Sequence, residues 1–443
     1  MSRRIFFWSL TSALAGFLFG FDTVVISGAE QKIQTFWALS PGMHGLALAS
    51  VLYGTVIGSL LGGWPTDKFG RKITLLIIGV LYVVSAVGSG LAGGVGTFIA
   101  ARFLGGIGIG ISTIAAPLYI SEIAPPAYRG RLAGMFQFNI VFGIVIAFLS
   151  NTIIAKIGGE DAWRWMLGIA AVPSLAYALM CFGIPESPRW LISRKGDRAA
   201  GLRVLKLIEP DLPQAQLEAH ADEMMASSRS DQASASKFWT WRLRVPICLA
   251  ILVAFFNQLS GINAVLYFAP RIFEMTGLGK EAALLKSLGI GVTNLVCTFV
   301  GLWLIDRLGR RTLLYLGSFG YIISLGLTSW AFFTQHYRIV PVCIFAFIAA
   351  HAVGQGAVIW VLISEIFPNR HRAEGQALGS FTHWIFAALL TTFFPKMVSA
   401  FAPGYVFLFF CFMMVLQLVW VKTMVIETKG VPLEQVQKRL GIE

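Results

Sequence analysis

Asp67-Lys68-Phe69-Gly70-Arg71-Lys72 is a run of charge set between apolar stretches, and it returns later in the chain as Asp306-Arg307-Leu308-Gly309-Arg310-Arg311. Each copy introduces an apolar stretch, 73–92 and 312–333, long enough to cross about 30 Å of hydrocarbon. Two further motifs repeat in the same order. Ser121-Glu122-Ile123-Ala124-Pro125 with Arg129 recurs as Ser364-Glu365-Ile366-Phe367-Pro368 with Arg372, and Pro185-Glu186-Ser187-Pro188-Arg189 has its counterpart in Ile426-Glu427-Thr428-Lys429-Gly430. A six-helix unit doubled in parallel explains the order, and such a design places its binding site at the midplane between the halves.

Working outward from these loops, apolar periodicity gives about twelve spans: 6–28, 45–65, 73–92, 97–118, 133–155, 165–184, 245–273, 282–305, 312–333, 339–363, 375–398 and 404–425. They are numbered helices 1 to 12. The chain of 443 residues is 56% hydrophobic and 13% charged, far from the roughly 25% charged fraction of a soluble domain. The reading is an all-α membrane protein of two six-helix halves, 1–185 and 245–425, joined by a polar segment, 186–244, and followed by a tail, 426–443. The joining segment holds amphipathic stretches at 198–208 and 214–225, then a small, polar, flexible run at 226–236. Met-Ser-Arg-Arg before an apolar run imitates a signal peptide, but the run continues past Asp22 without a small-residue cleavage pattern, which makes it the first membrane helix.

A net charge of +13 would suit nucleic acid if the basic residues formed a patch, and they do not. With the amino terminus cytoplasmic, Lys and Arg favour the cytoplasmic ends by roughly three to one, the positive-inside pattern, which puts both termini in the cytoplasm. Cys181, Cys248, Cys297, Cys343 and Cys411 stand alone in apolar segments without metal-ligand or paired spacing. Neither a Walker glycine loop nor a nucleophile–base arrangement is present, so enzymatic activity has little support and no cofactor or metal is expected.

The ordered motifs resemble the sugar porter family of the major facilitator superfamily, essentially end to end. They are Gly20-Phe21-Asp22 with Ile26-Ser27-Gly28, the Gly-Arg-Lys and Gly-Arg-Arg loops, Arg129-Gly130-Arg131, Pro185-Glu186-Ser187-Pro188-Arg189-Trp190, Gly261-Ile262-Asn263, and Glu427-Thr428-Lys429-Gly430. The chain looks closest to bacterial proton-coupled symporters of the xylose, hexose and inositol type, and more distantly similar to animal facilitative glucose transporters.

Asp22 in helix 1 and Arg102 in helix 4 stand out, because a charge inside an apolar helix costs about 2.5–3.5 kcal/mol even on the lenient insertion scale. Opposite charges can neutralise each other, and a carboxylate whose partner can move is a natural proton carrier; a static ion pair is the plainer alternative. The resemblance implies proton coupling at Asp22, partnered by Arg102. A sugar presents hydroxyls that both donate and accept, so its site should offer amides and an aromatic face. Gln137, Asn257, Gln258, Asn263 and Asn294 are amides within apolar stretches, and Trp360 and Trp384 can stack on a ring, though interhelical bonding or packing would also account for each alone.

The resemblance matches Gln137, Gln258, Asn263, Asn294, Trp360 and Trp384 to sugar-contacting positions and Tyr267 to an outer gate, with Pro270, Gly277 and Gly279 marking a bend behind it. It also implies a cytoplasmic latch, with charge pairs between the halves, from Asp67, Arg71, Glu122, Arg129, Glu186, Arg189, Asp306, Arg310, Glu365, Arg372 and Glu427. Three departures bear on the substrate: Asn257 where relatives usually have Gln, His383 before Trp384 where sugar binders often have Gln, and no proline after Gly356. The solute is therefore a small uncharged pentose, hexose, deoxy sugar or polyol.

The expectation is proton-coupled symport of a monosaccharide or polyol by a monomer in the bilayer of the cell inner membrane, with no nucleic acid partner. Facilitative uniport through the same site, with Asp22 structural, is the alternative. A non-transporting sugar sensor is disfavoured, since only about 20 residues follow the last span and sensors of this fold usually carry a long tail.

Overall fold

The computed structural model describes residues 3–125, 128–233 and 237–442. Every element among them is helical, and twelve are long and apolar enough to cross a membrane. These are helix 1 (Arg3–Phe36), 2 (Pro41–Leu61), 3 (Arg71–Gly90), 4 (Val95–Ile123), 5 (Gly134–Ile157), 6 (Gly159–Phe182), 7 (Trp241–Tyr267), 8 (Lys280–Leu308), 9 (Arg310–Thr334), 10 (Tyr337–Ile366), 11 (Asn369–Ala400) and 12 (Pro403–Thr423).

Several boundaries differ from the sequence reading. Helix 1 runs to Phe36 rather than ending near 28, and helix 2 begins at Pro41 rather than 45. Residues 214–233 form one helix, Gln214–Ala233, so most of the expected flexible run is helical; the rest of it, 234–236, lies outside the described residues. Its core is small, Ile192, Leu205, Leu217 and Ala221, packed with Pro188–Ser193 and Arg198–Ile208.

Helices 2 and 4 approach through glycine. A Cβ on Gly54 or Gly58 would collide with the carbonyl of Phe103 or Ile107, and one on Gly110 with the backbone of helix 2 at Ser59. Small residues spaced by four let two backbones touch, the usual solution where lipid gives no hydrophobic drive for helix association. Helix 8 does the opposite. Val292, Val296, Phe299 and Trp303 form an exposed apolar stripe, the pattern of a lipid-facing helix.

Contacts group the chain into two compact units, one of residues 1–23, 53–144 and 167–236, the other of 24–52, 145–166 and 237–443. The second unit contains all of helices 7–12 together with one end of helices 1, 2, 5 and 6.

Candidate functional site

In the first unit, Arg102 Nη1 donates to Asp22 Oδ1 at 2.6 Å and Nη2 to the Asp22 carbonyl at 3.1 Å. Asp22 is 5% exposed and Arg102 1%. The pairing is incomplete. Asp22 Oδ2 and Arg102 Nε are both buried with no hydrogen-bond partner, as are the Ser85 and Ser89 hydroxyls of helix 3. Gly105 makes the crowding possible, since a Cβ there would strike Ser85 Oγ and lie 3.9 Å from Asp22 Oδ2. A buried carboxylate with one oxygen free can bind a proton without any other bond being broken first.

In the second unit an amide chain runs through helix 7. Asn263 Nδ2 donates to Gln258 Oε1 at 2.6 Å, and Gln258 Nε2 donates to Asn257 Oδ1 at 2.9 Å. Gln258 Nε2 also lies 3.1 and 3.2 Å from the two ring nitrogens of His383 on helix 11. The His383 ring sits 5.3 Å from Trp360 and meets Trp384 edge-on at 4.7 Å.

Helix 7 can deliver both Gln258 and Asn263 because it breaks between them at Gly261, whose φ of +89° is open chiefly to glycine. Helix 10 breaks likewise at Gly354, which packs against Gly317, with Trp360 on the following segment. Broken helices are the usual carriers of polar sites at membrane depth, because unwound backbone is tolerated where it lines a cavity or is buried in protein. The structure thus brings together Asn257, Gln258, Asn263, Trp360, His383 and Trp384. Asn294 on helix 8 is buried and Gln137 on helix 5 half-buried, and neither joins this hydrogen-bonded chain. Tyr267 is fully buried near the end of helix 7.

The repeated charged motifs build the same object twice. Arg71 forks onto Glu122, Nε to Oε2 and Nη2 to Oε1, both at 2.9 Å, with Nη1 on Asp67 at 3.4 Å. Arg310 forks onto Glu365 at 3.0 and 2.8 Å, with Nη1 on Asp306 at 3.2 Å. Glu186 accepts from the backbone N–H of Arg71 at 2.9 Å and Lys72 at 3.1 Å, capping helix 3; Glu427 does the same for Arg310 at 2.9 Å and Arg311 at 3.0 Å, capping helix 9. Burial pushes the Glu186 carboxyl above the usual range, and the N–H donors of Ser187, Arg71 and Lys72 pull it back. These bonds lie within one six-helix half each, whereas the sequence reading had pairs between the halves. Arg189 borders a cavity of about 310 Å³ with Glu122, Glu209, His220 and Glu223. Arg372 is exposed, and the side chain of Arg129 lies outside the described residues.

A second buried ionic cluster escaped the sequence reading. Glu30, fully buried on helix 1, is 2.7 Å from His44 on helix 2 and accepts two 2.8 Å bonds from Arg271. Arg271 lies near the end of the seventh predicted span, while Glu30 and His44 fall just outside the first and second. A carboxylate eight residues after Asp22, on the same helix face, was the available signal.

A doubled six-helix architecture with broken helices, a buried ion pair and an amide–aromatic cluster defines a secondary transporter of the major facilitator fold. Comparison with known proteins agrees. The family described as "Sugar (and other) transporter" matches residues 8–440. The arabinose-proton symporter of Bacillus subtilis is 34% identical over 437 residues, 97% of this chain and 94% of that protein. The D-xylose-proton symporter of Escherichia coli is 33% identical over 475 residues, 98% of this chain and 96% of that one. The inward-open xylose transporter of E. coli superimposes with a TM-score of 0.86 at 31% identity, covering 98% of this chain and 99% of that chain. The same symporter bound to 6-bromo-6-deoxy-D-glucose gives 0.78, covering 99% of each. The chain belongs to the sugar transporter family of the major facilitator superfamily and is a multi-pass membrane transporter, not an enzyme.

Proposed function

We propose that this protein is a proton-coupled symporter of a monosaccharide or related polyol, working by alternating access in the cell inner membrane with both termini cytoplasmic. The observation that carries the reading is the unfilled Asp22 Oδ2, buried beside Arg102 and paired on one oxygen only. Protonation of Asp22 weakens its hold on Arg102, and deprotonation restores it, so helices 1 and 4 feel the proton directly. The sugar is bound by Gln258, Asn263, Asn257 and His383, with Trp360 and Trp384 against the ring and Gln137 and Asn294 completing the contacts. Its hydroxyls replace bonds that these amides make to one another, so that no buried amide is left unpaired in the exchange. Tyr267 closes over the sugar.

The moving bodies are the halves 1–185 and 245–425, with 186–244 as their cytoplasmic joint and 426–443 as a tail. In this scheme the Arg71–Glu122 and Arg310–Glu365 forks hold each half rigid at its cytoplasmic end, and Arg129, Arg189 and Arg372 supply the charges that latch one half to the other. The protein acts as a monomer.

The relatives named for arabinose and xylose make pentoses the first solutes to try. Purified protein in liposomes, with an inward proton gradient imposed, should accumulate a labelled pentose or hexose above its external level. Accumulation that survives collapse of the gradient would sink the symport reading, and equilibration without accumulation would leave a uniporter with Asp22 structural. Gln258→Ala should weaken sugar binding by ~10-fold or more, ~1.4 kcal/mol, in a direct titration.

A further inference from the structure

Glu30, Gln34, His44 and Arg271 form an ionic knot that the proton-coupling pair does not explain. Arg271 Nε donates to Glu30 Oε1 at 2.8 Å, and its Nη2 donates to Glu30 Oε2 at 2.8 Å and to Gln34 Oε1 at 2.6 Å. His44 Nε2 reaches Glu30 Oε2 at 2.7 Å, and its ring lies against the edge of Phe268, which in turn packs on Phe394. The Glu30 and His44 side chains are wholly buried, and Arg271 is about a quarter exposed. The knot joins helices 1 and 2 of one half to the extension of helix 7, Ala269–Glu274, of the other.

One atom is out of place. His44 Nδ1 is buried without a hydrogen-bond partner. A neutral imidazole that donates Nε2–H to Glu30 leaves Nδ1 as a bare acceptor; an imidazolium would bury an unsatisfied N–H and add a second cation beside Arg271. The closed knot therefore offers no acceptor for a second proton on His44. Opening this end separates Arg271 from Glu30 and leaves the carboxylate without its cation beside the apolar walls of helices 1 and 2, a cost that another cation close by reduces. Histidine is the side chain that supplies one near neutral pH.

We propose that His44 is a proton-binding site of the transport cycle, taking up a proton on Nδ1 from the external solution whenever the outer end opens and replacing Arg271 as counter-ion to Glu30. On closure Arg271 returns and the proton leaves by the same route. The site sets how readily the outer end opens at a given external pH and adds nothing to the protons moved per sugar. "Outer" here rests on the orientation proposed above. The other charges on the packed elements do not compete: Lys32 is paired with Glu160, Lys156 with Glu281, Lys396 is exposed, and Glu274 sits half-buried on the helix 7 extension.

The test uses Leu48→Cys, one turn from His44 on helix 2 and fully buried, labelled with a membrane-impermeant maleimide in the full chain in liposomes, with the parent protein as background. No sugar is needed, so failure of the sugar reading leaves the result interpretable. Labelling, expressed relative to an exposed Ser399→Cys reference so that the fall in thiolate with pH cancels, should rise several-fold as external pH falls from about 8 to about 6. His44→Gln should flatten that response, Glu30→Gln should flatten it by removing the charge to be neutralised, and Asp22→Asn should keep it. Arg271→Gln should raise labelling throughout. A response unchanged in both His44→Gln and Glu30→Gln, or no response in the parent carrying only Leu48→Cys, overturns the proposal. Loss of the response in Asp22→Asn alone assigns it to the coupling pair and overturns it equally. If His44→Gln fails to fold, Glu30→Gln decides.

Discussion

In the function proposed here, Asp22 and Gln258 are buried polar groups kept ready for a ligand. Asp22 accepts from Arg102 on one oxygen and keeps the other bare, while Gln258 spends both ends of its amide on neighbours that a sugar hydroxyl can replace. His383 faces the same nitrogen, so its ring tunes how tightly that amide is held. His383→Ala should alter which sugar binds best more than it alters stability, measured as a change in relative Kd across a sugar panel with a melting temperature within a few degrees of the parent. Both Asp22 and Gln258 were legible in the sequence, since polar groups inside apolar runs announce themselves by their cost. Glu30 and His44 were not. They sit where the apolar pattern fades while the helix continues, because an ionic knot rather than hydrocarbon satisfies them.

At the scale of elements, the repeated loops fix the starts of helices 3 and 9. Gly70 and Gly309 have φ of +89° and +92°, and a Cβ on either would run into Glu186 or Glu427, the carboxylate that caps the helix. Gly70→Ala and Gly309→Ala should each cost about 1–3 kcal/mol, read as a lowered melting temperature in detergent. Gly63→Ala, with nothing near its Cβ and ordinary φ, should be close to neutral. The sequence marked these glycines as motif members, and the charged residues around them as a latch between halves. It could not tell which acid each arginine meets, because the fork onto Glu122 depends on where helix 4 ends and the cap by Glu186 on the return of the chain after helix 6. The breaks in helices 7 and 10 were half legible: Gly261 belonged to a motif, whereas Gly354 breaks its helix through close packing on Gly317.

For the whole molecule, the doubled motifs and about twelve apolar spans led to the correct fold, and twelve spans are found among the described residues. Contacts within the second unit show what the repeat could not: the ends of helices 1, 2 and 5 pack on helices 7, 8 and 11. Gly45 lies so close to the Thr392 carbonyl that no side chain fits, and Glu30 is held by Arg271. Gly45→Trp should keep this end from closing, abolishing net transport while leaving sugar binding from the outer side; unchanged uptake would show that closure here is not required.

The most direct test of proton coupling through Asp22 is a pH electrode in a weakly buffered suspension of liposomes carrying the protein. A transported sugar should make the external medium alkaline, and Asp22→Asn should abolish that signal while still exchanging labelled sugar across the membrane. Alkalinisation that persists in Asp22→Asn would contradict the account.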